Sequence, residues 1–248
     1  MKNTQEIALR LTEVRSRIAR ACARANRNPS EVRLLLATKT VDIPRIKAVL
    51  ELGETLIGEN KVQELKEKGP SLVNTVKEAH FIGHLQSNKI KDVLKWVSCI
   101  QSIDRLSLAQ KLQRRLEYEN RSIEVLIQVN TSYETSKFGV APEKAIELIK
   151  EVAVLKNIKI KGLMTIGLFS ADEQKVRKCF KVLKNVQQEV RHLQIPNVTM
   201  DELSMGMSGD LEIAIEEGAT IVRVGTSIFG ERAYPDSYYW NEEKEIRS

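Results

Sequence analysis

The feature that most constrains this chain is a rhythm. Short apolar runs alternate with amphipathic stretches from about residue 31 to Val224. The strand-like runs fall at 31–38, 55–57, 79–84, 97–102, 123–129, 158–163, 203–205 and 220–224. Between them, helical spacing of apolar residues covers 43–52, 61–68, 87–96, 106–119, 142–155, 172–193 and 210–217. Gly53, Gly69-Pro70 and Gly218 punctuate the pattern, and Pro142 stands at a first helical turn, where its missing N–H costs nothing. One further helix, 4–25, precedes the first strand. Ile7, Leu11, Val14 and Ile18 form its apolar face, Asn3 or Thr4 is placed to cap it, and Asn28-Pro29 lies just beyond its end. Eight strands alternating with helices predict a closed α/β (β/α)8 TIM barrel, with an open doubly wound sheet as the alternative. No linker, repeat or low-complexity tract divides the chain, so one barrel domain is expected over 1–248.

Charge and cysteine usage narrow the function classes. The formal charge is +6, but the 39 basic residues are interspersed with 33 acidic ones, so no electrostatic face for nucleic acid is indicated. Three widely spaced cysteines without a CxxC suggest neither a disulfide framework nor a zinc site. His80 and His84 are four apart, but no further ligand cluster accompanies them, so no metal is expected. No apolar run has the length of a membrane span, and the N-terminus lacks the apolar core of a signal peptide. The expected location is cytoplasmic. The aromatics Tyr234, Tyr238, Tyr239 and Trp240 are expected to pack the C-terminus against the barrel.

In a barrel, chemistry gathers where strands end. The first strand, Leu34-Leu35-Leu36-Ala37-Thr38, is free of charge and runs straight into Lys39. An amine at the lip of a core is desolvated, which favours its nucleophilic form, although a lysine snorkelling to solvent fits the same spacing. Arg223 interrupts the last strand, and a buried guanidinium needs acceptors. Gly225-Thr226 after that strand offers backbone N–H groups and a hydroxyl suited to an anion. Met205-Gly206-Met207-Ser208-Gly209-Asp210 follows the seventh strand, with Ser208 standing where a helix cap or a phosphate ligand would. A lysine able to form an imine beside a phosphate cup is the minimum for a pyridoxal phosphate site, and equally for a Schiff-base aldolase.

Several segments then match a known pattern in order: Ala37-Thr38-Lys39-Thr40, Gly58-Glu59-Asn60-Lys61-Val62-Gln63-Glu64, His80-Phe81-Ile82-Gly83-His84, Leu203-Ser204-Met205-Gly206-Met207-Ser208, and Val222-Arg223-Val224-Gly225-Thr226. The chain resembles the pyridoxal-phosphate homeostasis protein family and, through it, the N-terminal barrel of alanine racemase, a pyridoxal phosphate (PLP) fold of type III. The resemblance implies PLP as cofactor, held by Lys39 as an internal aldimine. Ser208, Gly225 and Thr226 would cradle the phosphate, Arg223 would face the pyridine nitrogen, and Asn60 and Met205 would line the ring. It implies a monomeric cofactor carrier without catalytic activity, delivering PLP to apo-enzymes, with no nucleic-acid or membrane partner. A fold-type III racemase or decarboxylase is the alternative. Against that alternative, the chain ends soon after the eighth strand, without the length for a second domain, and offers no candidate for an opposing base. Thr38 stands where the family often has serine and Gly209 where it often has an acid, and neither change removes a group assigned to the cofactor.

Overall fold

The computed structural model describes residues 2–230. Eight parallel strands close in chain order: β1 (Arg33–Ala37), β2 (Leu56–Glu59), β3 (Glu78–Phe81), β4 (Cys99–Ile103), β5 (Ile123–Gln128), β6 (Ile158–Met164), β7 (Val198–Ser204) and β8 (Ile221–Val224). β8 pairs back onto β1, with Leu35 opposite Arg223 and Leu36 opposite Val224. The helices are α1 (Lys2–Arg24), α2 (Ile43–Glu51), α3 (Val62–Leu72), α4 (Ile90–Leu94), α5 (Leu106–Tyr118), α6 (Pro142–Ala153), α7 (Glu173–Leu193), α8 (Leu211–Glu216) and α9 (Thr226–Phe229). The closed barrel is thus the architecture, and the open sheet is excluded.

Strand alternation divides the buried residues into two layers. Leu34, Leu36, Phe81, Ile100, Leu203, Val222 and Val224 face outward and merge with Ile46, Leu112 and Phe180 of the helices into one continuous apolar layer. Their neighbours in sequence face inward. Leu35, Leu56 and Ile221 pack together inside the barrel, and Cys99, Leu126 and Met164 form a second inner cluster. The rest of the inner face is polar, with His80, Gln101, Ser204 and Arg223 all buried.

Element boundaries depart from the sequence pattern where local chemistry intervenes. Pro29–Glu31 is a turn of 3-10 helix with Asn28 and Glu31 forming a capping box, so β1 begins at Arg33. α1 begins at Lys2, which places Asn3 and Thr4 inside its first turn rather than at the cap. α3 continues through Gly69-Pro70, because Leu72 beyond the proline is buried and holds the last turn. Ser87–Lys89 is 3-10 helix, leaving a shorter α4. β7 spans Val198–Ser204, well beyond the three residues expected from its apolar content. Met200 lies at φ 53 and the register against β6 shifts there, which breaks the alternation a sequence reading needs. Tyr234, Tyr238, Tyr239 and Trp240 lie outside the described residues.

The extra helix α1 packs on α2, α8 and α9. It carries Arg17, whose guanidinium grips Glu212 at 2.6 Å and donates to Ser208 O at 2.9 Å. A barrel helix and the loop before it are thereby tied to one arginine. Between β6 and β7 the backbones approach so closely that a Cβ on Gly162 would lie 1.8 Å from Glu202 O. Gly162→Ala should therefore cost about 3 kcal/mol, the upper range for overpacking. Urea denaturation reads the loss, and an unchanged midpoint would show that the two strands separate freely.

Candidate functional site at the mouth of the barrel

Lys39 is half-buried in the turn just past β1. On one side β2 lies in register, Ala37 opposite Gly58, and Thr38 N donates to Gly58 O at 3.0 Å, which brings Asn60 alongside. On the other side β8 ends at Gly225, where a Cβ would meet Ala37 O at 3.0 Å, so a bare backbone is what fits between the two strand ends. Thr226 is exposed and its hydroxyl donates to Ser208 Oγ at 3.2 Å, while Ser227 N approaches the same oxygen at 3.4 Å. The loops after β1, β2, β7 and β8 thus bring Lys39, Asn60, Ser208, Gly225 and Thr226 to one rim. Ser208 is not the cap of α8, since Asp210 occupies the N-cap position. Met205 is fully buried in the outer apolar layer, so its side chain is not brought to the rim with the others.

The backbone around Lys39 is held from below by three ionisable groups. Lys68 Nζ donates to Thr38 O at 2.7 Å, to Glu59 Oε1 at 2.8 Å and to Glu64 Oε2 at 2.5 Å. Thr38 Oγ1 donates to the same Glu59 oxygen at 2.6 Å, and Thr40 N donates to Glu64 Oε2 at 2.7 Å. The residues before and after Lys39 are therefore both clamped. Thr40 lies at φ 62, a left-handed conformation that costs a β-branched residue of order 1–3 kcal/mol. The clamp on its N–H is what holds it there. Glu59 is 2 % exposed, and burial pushes its carboxyl up to about 7 against the pull of Lys68. The sequence reading passed over Glu59, Glu64 and Lys68, although the charge in Gly58-Glu59-Asn60 directly after an apolar strand was the available signal.

Arg223 sits one pleat below the rim, inside the barrel. Nη1 donates to Ser204 Oγ at 2.9 Å and Nη2 to Thr165 O at 2.8 Å, leaving N–H donors to spare. Burial lowers its pKa to about 10, with Asp210 acting in the opposite direction, so it stays charged at neutral pH.

Residues 9–233 match the family model described as alanine racemase, N-terminal domain. The chain is 44% identical to the pyridoxal phosphate homeostasis protein of Aquifex aeolicus over 91% of its own length and 98% of that protein. It belongs to the pyridoxal phosphate homeostasis protein family. Its fold superposes on PipY of Synechococcus elongatus, whose structure was solved with PLP bound, at TM-score 0.78 and 30% identity, over 90% of this chain and 100% of that one. Alanine racemase of Clostridium difficile shares the fold at TM-score 0.72 and 14% identity, over 94% of this chain and 57% of the racemase.

The clamp carries a pH signature. Folded Glu59 keeps its proton over a range in which the unfolded chain has lost it. Stability therefore falls as pH rises from the ordinary carboxylate range through about 7, and levels off above. Glu59→Gln should remove this slope relative to wild type, as read from urea midpoints across that window. Lys68→Met should cost about 3–5 kcal/mol above that window, because it strands a buried carboxylate, and less below it, where Glu59 is neutral. Equal losses at both ends would show that Lys68 contributes packing alone.

Proposed function

We propose that this protein binds PLP at the barrel mouth, holds it reversibly through Lys39, and serves intracellular PLP homeostasis by releasing it to apo-enzymes. The observation that carries the reading is the convergence at one end of the barrel of an amine and a hydroxyl pair on the rim with a buried guanidinium one pleat below: Lys39, Ser208 with Thr226, and Arg223. The residues fit the compound. Asn60 Oδ1 is buried without a hydrogen-bond partner, as an atom awaiting a ligand donor would be. Ser208 Oγ, Thr226 Oγ1 and the uncluttered backbone at Gly225 form a cradle for a phosphate, anchored from behind by Arg17. All of these groups belong to one closed barrel, in keeping with a single domain.

When bound, PLP supplies an aldehyde that condenses with a primary amine, releasing water, and a ring that withdraws electrons. Lys39 provides the amine. Arg223 donates and cannot accept, so a ring nitrogen facing it remains unprotonated and draws electrons weakly. That favours holding the compound over carbanion chemistry. That the relative from Aquifex aeolicus is named a homeostasis protein supports this reading. No helix among the described residues is long and apolar enough to cross a membrane, in keeping with a cytoplasmic carrier.

Borohydride reduction of the yellow protein should fix the label on Lys39, as peptide mass spectrometry would show. Lys39→Ala should lose the label while keeping the fold. Ser208→Ala and Thr226→Ala should each weaken PLP retention by about 1–3 kcal/mol, the range for a hydrogen bond to a charged group. Unchanged retention in both variants would move the phosphate cradle elsewhere. Rapid, Lys39-dependent exchange of amino-acid α-hydrogens in deuterated water would instead favour the racemase or decarboxylase reading.

A further inference from the structure

The polar residues of the inner barrel face are joined end to end. Ser204 Oγ, which accepts from Arg223, lies 2.6 Å from Gln101 Oε1. Gln101 Nε2 lies 2.7 Å from His80 Nδ1, and His80 Nε2 lies 2.7 Å from Glu78 Oε1. The other Glu78 oxygen accepts from Arg33, which also reaches Glu202 at 3.0 Å. Residues contributed by β8, β7, β4, β3 and β1 thus link Arg223, just below the mouth, to a charged cluster at the opposite end, where Arg33, Glu78 and Glu202 are partly exposed.

The direction of this chain is set at its upper end. A guanidinium only donates, so Ser204 Oγ accepts and turns its own proton to Gln101 Oε1. That orients the amide with Nε2 toward His80, makes Nδ1 the acceptor, and places the histidine proton on Nε2, aimed at Glu78. Reversing the amide would leave the Ser204 hydroxyl between two donors. Every group has one role, and the roles agree along the whole length. Gln101, His80 and Ser204 are each 0–1 % exposed, so water does not compete for these bonds. The charged groups facing His80 are Glu78 on its own strand, Glu202 on β7, and Arg33 on β1 behind Glu78.

We propose that Ser204, Gln101 and His80 are positioning residues for Arg223, forming a one-directional hydrogen-bond relay along the barrel interior that fixes how the guanidinium is presented to the ring nitrogen of bound PLP. The proposal rests on the reading of the mouth as a PLP site, and it extends that site to the far end of the barrel. Its chemical content is orientation. With Nη1 and Nη2 committed to Ser204 and Thr165, the guanidinium plane cannot rotate, and its remaining donors keep one direction. Gln101 and His80 are joined by hydrogen bonds to Arg223 through Ser204, which is the route by which either would act on the cofactor.

Two measurements on the full-length protein separate the relay from the PLP assignment. In the apo-protein, nitrogen-15 spectra of the His80 ring, assigned with His80→Gln, should show the Nε2–H tautomer alone. Gln101→Glu, which is isosteric and replaces the amide donor by an acceptor, should place a proton on Nδ1 beside the one on Nε2. In the PLP-loaded protein, Gln101→Leu and Ser204→Ala should shift the absorbance maximum of the bound chromophore and speed its loss on dilution by about tenfold, the effect of a network bond worth 1.4 kcal/mol. Ser204→Thr, which keeps the hydroxyl, should restore both. If Gln101→Leu does not fold, Gln101→Met, which also removes both hydrogen bonds, carries the same spectral test. Altered melting with an unchanged spectrum and release rate would overturn the relay, as would a His80 proton on Nδ1 in wild type. A wild-type protein that takes up no PLP would sink the reading of the mouth instead, and the tautomer would still decide on the chain of bonds.

Discussion

Arg223 puts a permanent charge inside a barrel and gives it neutral oxygens as its hydrogen-bond partners, Ser204 Oγ and Thr165 O. Burying an ion costs several kcal/mol even after relaxation, and neutral acceptors offset part of it. Much of the inner face answers to that constraint. An apolar residue at Ser204 would strand the guanidinium, and one at Gln101 would strand Ser204 and His80 in turn. The requirement ends only where solvent begins, at Arg33 and Glu78, where hydrogen bonds from His80 and Arg33 hold the Glu78 carboxyl down at about 2.

Stability comes from the other face of the same strands. The outward residues join the helices in one continuous apolar layer that includes the largest buried side chains, Phe81 and Phe180 among them. This division lets the interior carry charge and amide groups at a cost the outer layer absorbs. α1 links the two jobs: Ile7, Leu11, Val14 and Ile18 add to the apolar layer, while Arg17 on the same helix grips the loop that carries Ser208. Removing the helix would loosen the candidate phosphate cradle as well as the core.

The fold was legible because a parallel strand buried on both faces leaves an uninterrupted apolar signature, and Leu34-Leu35-Leu36 or Ile221-Val222 can hardly be anything else. β7 was not, since Thr199, Asp201 and Glu202 disguise half its length and a left-handed Met200 breaks its period. The rim residues after β1, β2, β7 and β8 were legible as polar groups at strand ends, and the barrel brings Lys39, Asn60, Ser208, Gly225 and Thr226 together. Met205 lies buried in the outer apolar layer, because a residue beside a strand end in sequence can face the opposite layer. Glu59 and Lys68, nine residues apart, meet only because α3 folds back over β2, and spacing alone does not show that. The His80–Gln101–Ser204 linkage spans three strands and could be seen only once their register was known.

The clamp beneath Lys39 also settles a question of chemical choice. A second amine, Lys68, lies within one hydrogen bond of the residue preceding Lys39. An amine attacks an aldehyde carbon with its nitrogen lone pair, and three oxygens, from Thr38, Glu59 and Glu64, surround the Lys68 nitrogen with its carbon stem completing the tetrahedron. No face of that nitrogen is open to a carbonyl. Two lysines share the neighbourhood, and the packing makes Lys68 a tether, while Lys39 is the amine proposed to meet the aldehyde.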